Sequence, residues 1–272
     1  MSLDTNKIHL FILTPCYDAK LFCNYVASLL KTKTLLEKVG IRVSFEFMKN
    51  ESLITRGRNN MIARAMSDPT VTHIMFIDSD ITWRDNDVLK LITSDKDVVG
   101  GIYPLKRYNW SQIQNTETIL KRHEMAHNKH VSETEFIQQN LLKYNYNMVE
   151  SSGIHNNLIE IYTLATGFMM IKRDVIERMF VAFPQTKYSD DCGYLSEHEN
   201  KNAYALFDCG IVNNHYFSED WMFCHRWKQI GGKIHADITI DLVHTGTEDF
   251  KGRFLSSLDI IRPVAKSEEK TS

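Results

Sequence analysis

Three groups of residues in this chain have types and spacings that could do chemistry. MFIDSDITW ends an apolar run with Asp78 and Asp80 two positions apart, Ser218-Glu219-Asp220 opens a helical pattern, and His244 closes an apolar run in IDLVHTG. Two unpaired carboxylates this close repel, and each raises the other's pKa; a divalent cation that favours hard oxygen ligands removes the conflict. If the backbone stays extended there, both carboxylates face one side of the strand. The competing reading is that Asp and Ser merely form the turn after a strand. Ser218 suits a helix N-cap, and acids in the first helical turn complement the dipole. His244, after a strand and beside a Thr-Gly turn, is a candidate metal ligand. His9, His73 and His123 read as structural.

The elements that must position these groups follow from periodicity. Buried strands are expected at 8–15, 41–48, 71–78 and 96–104, with helices at 20–38, 54–66 and 85–93 between them. Clean alternation is expected in 41–48, and Met61, Ile62, Ala65 and Met66 form the apolar face of 54–66. Strand and helix in alternation imply an α/β fold: a mostly parallel sheet flanked by helices, with ligands outside the carboxyl ends of the strands. Residues 105–157 are polar and without strong period, and read as a partly helical insertion. Two strands in 158–171, a helix at 173–180, an irregular stretch to 217, a helix at 219–230 closed by Gly231-Gly232, and strands in 233–246 complete the chain.

With 272 residues, 43% of them hydrophobic, the chain can bury a substantial core, and one catalytic domain over 1–265 with a flexible tail at 266–272 is expected. The balance of 32 basic and 34 acidic residues gives no footprint for nucleic-acid binding. No apolar run suits a transmembrane segment or a secretory leader, and five scattered cysteines suggest reduced thiols and a cytoplasmic setting.

THIMFIDSDI resembles the DxD segment of GT-A nucleotide-sugar glycosyltransferases, and other segments match in order. LTPCYD is similar to the first nucleotide-binding strand and loop, TRGRNN to an arginine- and asparagine-bearing helix start, and VVGGIYPLK to the strand beside the donor sugar. TGFMMIKRDV resembles the unit that backs the site, YFSEDWMFCHRWKQIGG the xED helix of inverting enzymes, and DLVHTGT the segment of the late metal-binding histidine. The resemblance implies a GT-A (Rossmann-like) fold and a metal-dependent, inverting transfer from a nucleotide-sugar, UDP-sugar before GDP-sugar, to a glycan or glycoprotein acceptor. It implies Mn²⁺, or Mg²⁺, on Asp80 and His244, with Asp78 at the metal or ribose, and Asp220 as base with Glu219 the runner-up.

By the same resemblance Thr14, Pro15, Tyr17, Asp18, Asn59 and Ser79 would meet the nucleotide. Arg56, Arg58, Lys251 and Arg253 are candidates to neutralise the leaving diphosphate, against the reading of Arg56 and Arg58 as solvated surface residues; GTEDFKGRF has a lid-like composition. Gly101, Tyr103, Lys106, Thr166 and Gly167 would lie along the donor sugar, glycine allowing close approach. Trp110 is the first candidate for stacking an acceptor, Trp221 is ambiguous beside the base, and Trp227 reads as core. The rival enzyme, a sugar-phosphate nucleotidyltransferase, needs a glycine-rich, lysine-bearing loop after the first strand, and TPCYDAKLF has no glycine. The non-enzyme rival is a nucleotide- or glycan-binding paralogue.

Overall fold

The computed structural model describes residues 4–125, 132–144, 146–149 and 153–258. The tail expected at 266–272 lies outside the described residues.

The first half alternates β1 (His9–Cys16), α1 (Cys23–Lys38), β2 (Arg42–Lys49), α2 (Ile54–Ser67), β3 (His73–Ile77), a two-residue β4 (Ile81–Thr82), α3 (Asp87–Thr93) and β5 (Val98–Gly100). The insertion holds β6 (Pro104–Tyr108), α4 (Thr116–Met125), α5 (Glu133–Leu141) and β7 (Leu142–Tyr144). Then come β8 (Leu158–Ile161), β9 (Phe168–Lys172), α6 (Arg173–Ala182), α7 (Glu197–Asn200), β10 (Gly210–Val212) and β11 (His215–Phe217). The last elements are α8 (Glu219–Gln229), β12 (Ile234–Asp237), β13 (Val243–Thr245), β14 (Asp249–Lys251) and α9 (Phe254–Leu258).

Seven strands form the central sheet in the order β2-β1-β3-β9-β5-β12-β8. β2, β1, β3, β5 and β12 run one way, and β9 and β8 run against them. This is a mostly parallel α/β sheet flanked by helices. Alternation along β3 divides the core: Ile74 and Phe76 face α2, α6 and α8 with Met61, Ile176, Phe223 and Trp227, whereas Met75 and Ile77 face α1 and α3 with Tyr25, Leu36 and Leu91. β3 is buried at every position, which is why its sequence shows a continuous apolar run rather than an alternation.

β2 departs from the clean alternation expected of it: only Met48 is buried, because it is the edge strand with one neighbour. The strand expected at 96–104 is cut short at Gly100; Gly101, Ile102 and Tyr103 leave the sheet, and the chain pairs again as β6 with β7 of the insertion. α8 ends as its glycines suggest. Gly231 sits at φ +83°, its N–H donates to the Lys228 carbonyl and that of Gly232 to the Trp227 carbonyl, a paired C-terminal cap. No helix among the described residues is long and apolar enough to cross a membrane.

Candidate active site

Three chain segments meet at the tip of β3. β9 runs antiparallel to β3, so its start lies beside the end of β3, and the Asp78 N–H donates to the Gly167 carbonyl at 3.0 Å. The Thr245 N–H donates to the Asp80 carbonyl at 2.8 Å, fastening β13 to the same tip. The Ile81 N–H donates to the Asp78 carbonyl at 3.1 Å, closing a turn. The backbone is therefore not extended through Asp78-Ser79-Asp80, and the expectation that both carboxylates face one side fails.

The two carboxylates part company. Asp78 Oδ1 accepts from Arg58 Nη2 at 3.1 Å, while Arg58 Nε donates to Glu219 at 3.3 Å. Arg58 is 3% exposed and lies over the Phe76 ring. Burial pulls its pKa down, but the two carboxylates outweigh it and raise it. This arginine is not solvated: through Nε and Nη2 it clasps α2, the β3 tip and α8 together, while its Nη1 is buried without a hydrogen-bond partner. Asp78 thus stands apart from the metal role proposed for it, and Glu219 is held away from a base's role.

Asp80 keeps company of another kind. Its Oδ2 accepts from Lys106 Nζ at 2.5 Å and faces His244 Nε2 at 3.5 Å. His244 Nδ1 lies 2.8 Å from the Pro104 carbonyl, which can only accept, so Nδ1 carries the proton. In the neutral ring Nε2 then turns a lone pair toward a carboxylate, an arrangement that calls for a proton or a cation. Asp80 Oδ1 is buried without a hydrogen-bond partner. Burial pushes the Asp80 carboxyl up, but contacts with His244 and Lys106 more than offset this and hold it below its ordinary value. One carboxylate and one imidazole oriented from behind by a carbonyl fit a divalent cation. Among the described residues, the group of three that could ligate a metal is instead Asp190, Asp191 and Cys192. There Asp190 already accepts the N–H groups of Cys192, Tyr194 and Leu195.

Asp220 is fixed by its own helix start. Ser218 directs its hydroxyl to Asp220 Oδ1 rather than capping a backbone N–H, and the Trp221 N–H donates to the same oxygen at 2.8 Å. No hydrogen bond among the described residues engages Oδ2. Burial pushes the Asp220 carboxyl up, with Glu219 adding to the shift against the hydrogen bond from Ser218. A cavity of about 240 Å³ is lined by both Asp220 and His244, with Gly101, Tyr103 and Leu105 on its walls. A larger cavity, about 960 Å³, lies elsewhere, along β8 and β12.

Several expected contacts are replaced by structural ones. The Thr14 hydroxyl is buried against that of Tyr25. Asn59 bonds the Thr55 carbonyl and both backbone groups of Phe207, and Arg56 lies on Glu51. Lys251 pairs with Val243, so it points to the face opposite His244, into a cavity with Arg84 and Asp241; Arg253 approaches that same Asp241. The lid-like segment is a strand of the β14-β13-β4 sheet. An added Cβ would meet Leu242 Cδ1 at 2.8 Å at Gly101 and Tyr103 Oη at 2.6 Å at Gly167, so side chains of the protein itself already press on both glycines. Thr166 is buried.

At the β1 tip Pro15 is half-buried, Tyr17 is 65% exposed, Asp18 pairs with Lys20, and the Ser79 carbonyl accepts from the Phe22 N–H. Trp110 is 62% exposed on Tyr108, far from enclosed, whereas Trp221 lines a groove. Sequence reading overlooked Ser218 as the group that aims Asp220 and Lys106 as the counterion of Asp80. Adjacency to Asp220 was the available signal for Ser218; none existed for Lys106, 26 residues from its partner. His9 and His73 are buried and hydrogen-bonded, as structural histidines are.

No family model and no curated protein matches this chain. Among solved structures it is similar to A197 from STIV, with a TM-score of 0.47 and 14% identity over 88% of this chain and 86% of that one. It is also similar to a glycosyltransferase involved in the glycosylation of the major capsid of PBCV-1, with a TM-score of 0.27 and 16% identity over 71% of this chain and 72% of the other. Function is therefore read from the site itself.

Proposed function

We propose that this protein is a metal-dependent, inverting glycosyltransferase that moves a sugar from a nucleotide-sugar, UDP-sugar before GDP-sugar, to an acceptor hydroxyl. The observation that carries the reading is that Asp220, with one oxygen unengaged, shares a cavity with His244, whose ring abuts Asp80. A carboxylate with a raised pKa and an open oxygen suits removal of the acceptor's proton as it attacks the anomeric carbon. Ser218 and the Trp221 N–H hold the carboxylate in one orientation, so the base needs no reorganisation. Asp80 and His244 would hold Mn²⁺, with Mg²⁺ the competitor, and the ion would supply positive charge against the negative charge developing on the departing nucleoside diphosphate. The exposed ring of Tyr17 offers a face to the base, beside Pro15 and Asp18. The nucleotidyltransferase reading loses to the sequence after β1, which builds no phosphate loop.

Thermal unfolding with UDP and Mn²⁺ tests the assignment. At about 100 times Kd the ligands are expected to stabilise the protein by about 2.7 kcal/mol. Asp80→Ala should lose the Mn²⁺-dependent part; an undiminished Mn²⁺ effect in that variant would discard the metal assignment.

Lys106 supplies a finer check. Its ammonium holds Asp80 Oδ2, the same oxygen that faces His244 Nε2, and its stem passes Gly246, where an added Cβ would meet Lys106 Cδ at 3.0 Å. Lys106→Met is expected to tighten Mn²⁺ binding about fivefold to tenfold, read by the free-Mn²⁺ electron paramagnetic resonance signal. Unchanged or weaker binding would show that Lys106 does not compete with the cation for Asp80.

A further inference from the structure

A second cavity adjoins the first. It measures about 720 Å³, and Thr163 lines both. Consecutive residues of α8 look into the two spaces: Asp220 into the small cavity and Trp221 into the larger groove. Trp221, His225 and Lys228 recur at i, i+4 and i+7, one face of α8 turned toward the groove.

The groove's lining is unlike that of the Asp220 cavity. Tyr146, Tyr162, Phe217 and Trp221 present four aromatic rings, and among the described residues no carboxylate lines the groove. Phe217 stands edge-on to Trp221, with centroids 5.7 Å apart and planes at 79°. Lys228 Nζ lies 4.6 Å from the Tyr162 ring centroid. Tyr162 is 47% exposed although it is a large aromatic. Phe217 ends β11, whose hairpin with β10 leads directly into Ser218 and Asp220 and leaves Ile211 and Tyr216 exposed.

We infer that this groove is the acceptor site and that its occupant is a saccharide, rather than a serine, threonine or asparagine side chain of a polypeptide. The inference rests on the proposed transferase reading and names its acceptor class. A pyranose ring has apolar C–H faces and a polar rim. Aromatic faces serve the first, and Lys228, Thr163 and Asn147 serve the second. A sugar seated on Trp221 has the neighbouring carboxylate one residue away, so one of its rim hydroxyls can meet Asp220 Oδ2. A groove of this volume also exceeds what a single amino-acid side chain fills. Trp110, exposed on the insertion, is not part of it.

The test measures binding apart from turnover. Methyl glycosides, lactose, cellobiose, maltose and diacetylchitobiose are titrated into the full chain, followed by saturation-transfer NMR and tryptophan fluorescence. At least one is expected to bind saturably, about tenfold more weakly in Trp221→Ala and in Tyr162→Ala, and equally well in Val181→Ala, whose exposed side chain lies outside both cavities. If Trp221→Ala does not fold, Tyr162→Ala carries the comparison, because its ring is already half in solvent. The inference is overturned if none of these sugars binds, if binding is unchanged in both aromatic variants, or if only serine- and threonine-containing peptides bind. A failure of the transferase reading shows elsewhere, as loss of the UDP and Mn²⁺ stabilisation in the unaltered protein.

Discussion

Asp220→Asn is expected to lower sugar transfer about a hundred- to ten-thousand-fold while leaving stabilisation by UDP and Mn²⁺ intact. The substitution keeps an oxygen for Ser218 and the Trp221 N–H, so the helix start retains its geometry and only proton acceptance is lost. Transfer by the wild-type protein should fall as pH drops through the raised Asp220 pKa, since the base must be ionised, and the residual activity of Asp220→Asn should lack that limb. Stability moves the other way. A carboxyl whose folded pKa lies above its unfolded value contributes stability below the unfolded pKa, and that stability is lost as pH rises through the folded pKa. At neutral pH the buried carboxylate is thus a burden, and Asp220→Asn should melt higher than wild type. Wild-type turnover in this variant, measured as nucleotide diphosphate released with acceptor present, would take Asp220 out of the chemistry.

The second large effect is on folding. Arg58→Met leaves Asp78 and Glu219 facing a buried apolar side chain instead of the cation they share. Breaking a buried pair by removing one partner costs roughly 3–5 kcal/mol, and about 3 kcal/mol is expected because Asp78 is 32% exposed. Urea unfolding measures it. Adding Glu219→Gln to Arg58→Met should recover part of the loss, since it removes one stranded charge. Equal stability of Arg58→Met and wild type would show that the clasp holds nothing together, and Arg58 would return to the pool of ligands for a phosphate.

Much of the fold is legible in the chain because periodicity is a local property. The buried run of β3, the apolar face of α2 and the glycine cap of α8 are each written within one element, and the structure contains all three. The exposure of β2 is not legible in its residues, because whether a strand is central or at the edge depends on its neighbours. The insertion's sequence shows some helix but not its bounds, because polar residues surround the few positions, such as Ile119 and Phe136, that pack.

The candidate site divides along the same line. Sequence alone placed acids at the end of a buried strand, acids at a helix start and a histidine after a late strand. It could not decide where their side chains point. A single bond from the Ile81 N–H to the Asp78 carbonyl turns the chain and sends Asp78 to Arg58 and Asp80 to Lys106 and His244. Arg58 and Glu219 are 161 residues apart in the chain yet share a hydrogen bond. Residue type fixes which chemistry a group can perform, whereas its direction and counterion are set by backbone turns and by partners that only the folded sheet brings within reach.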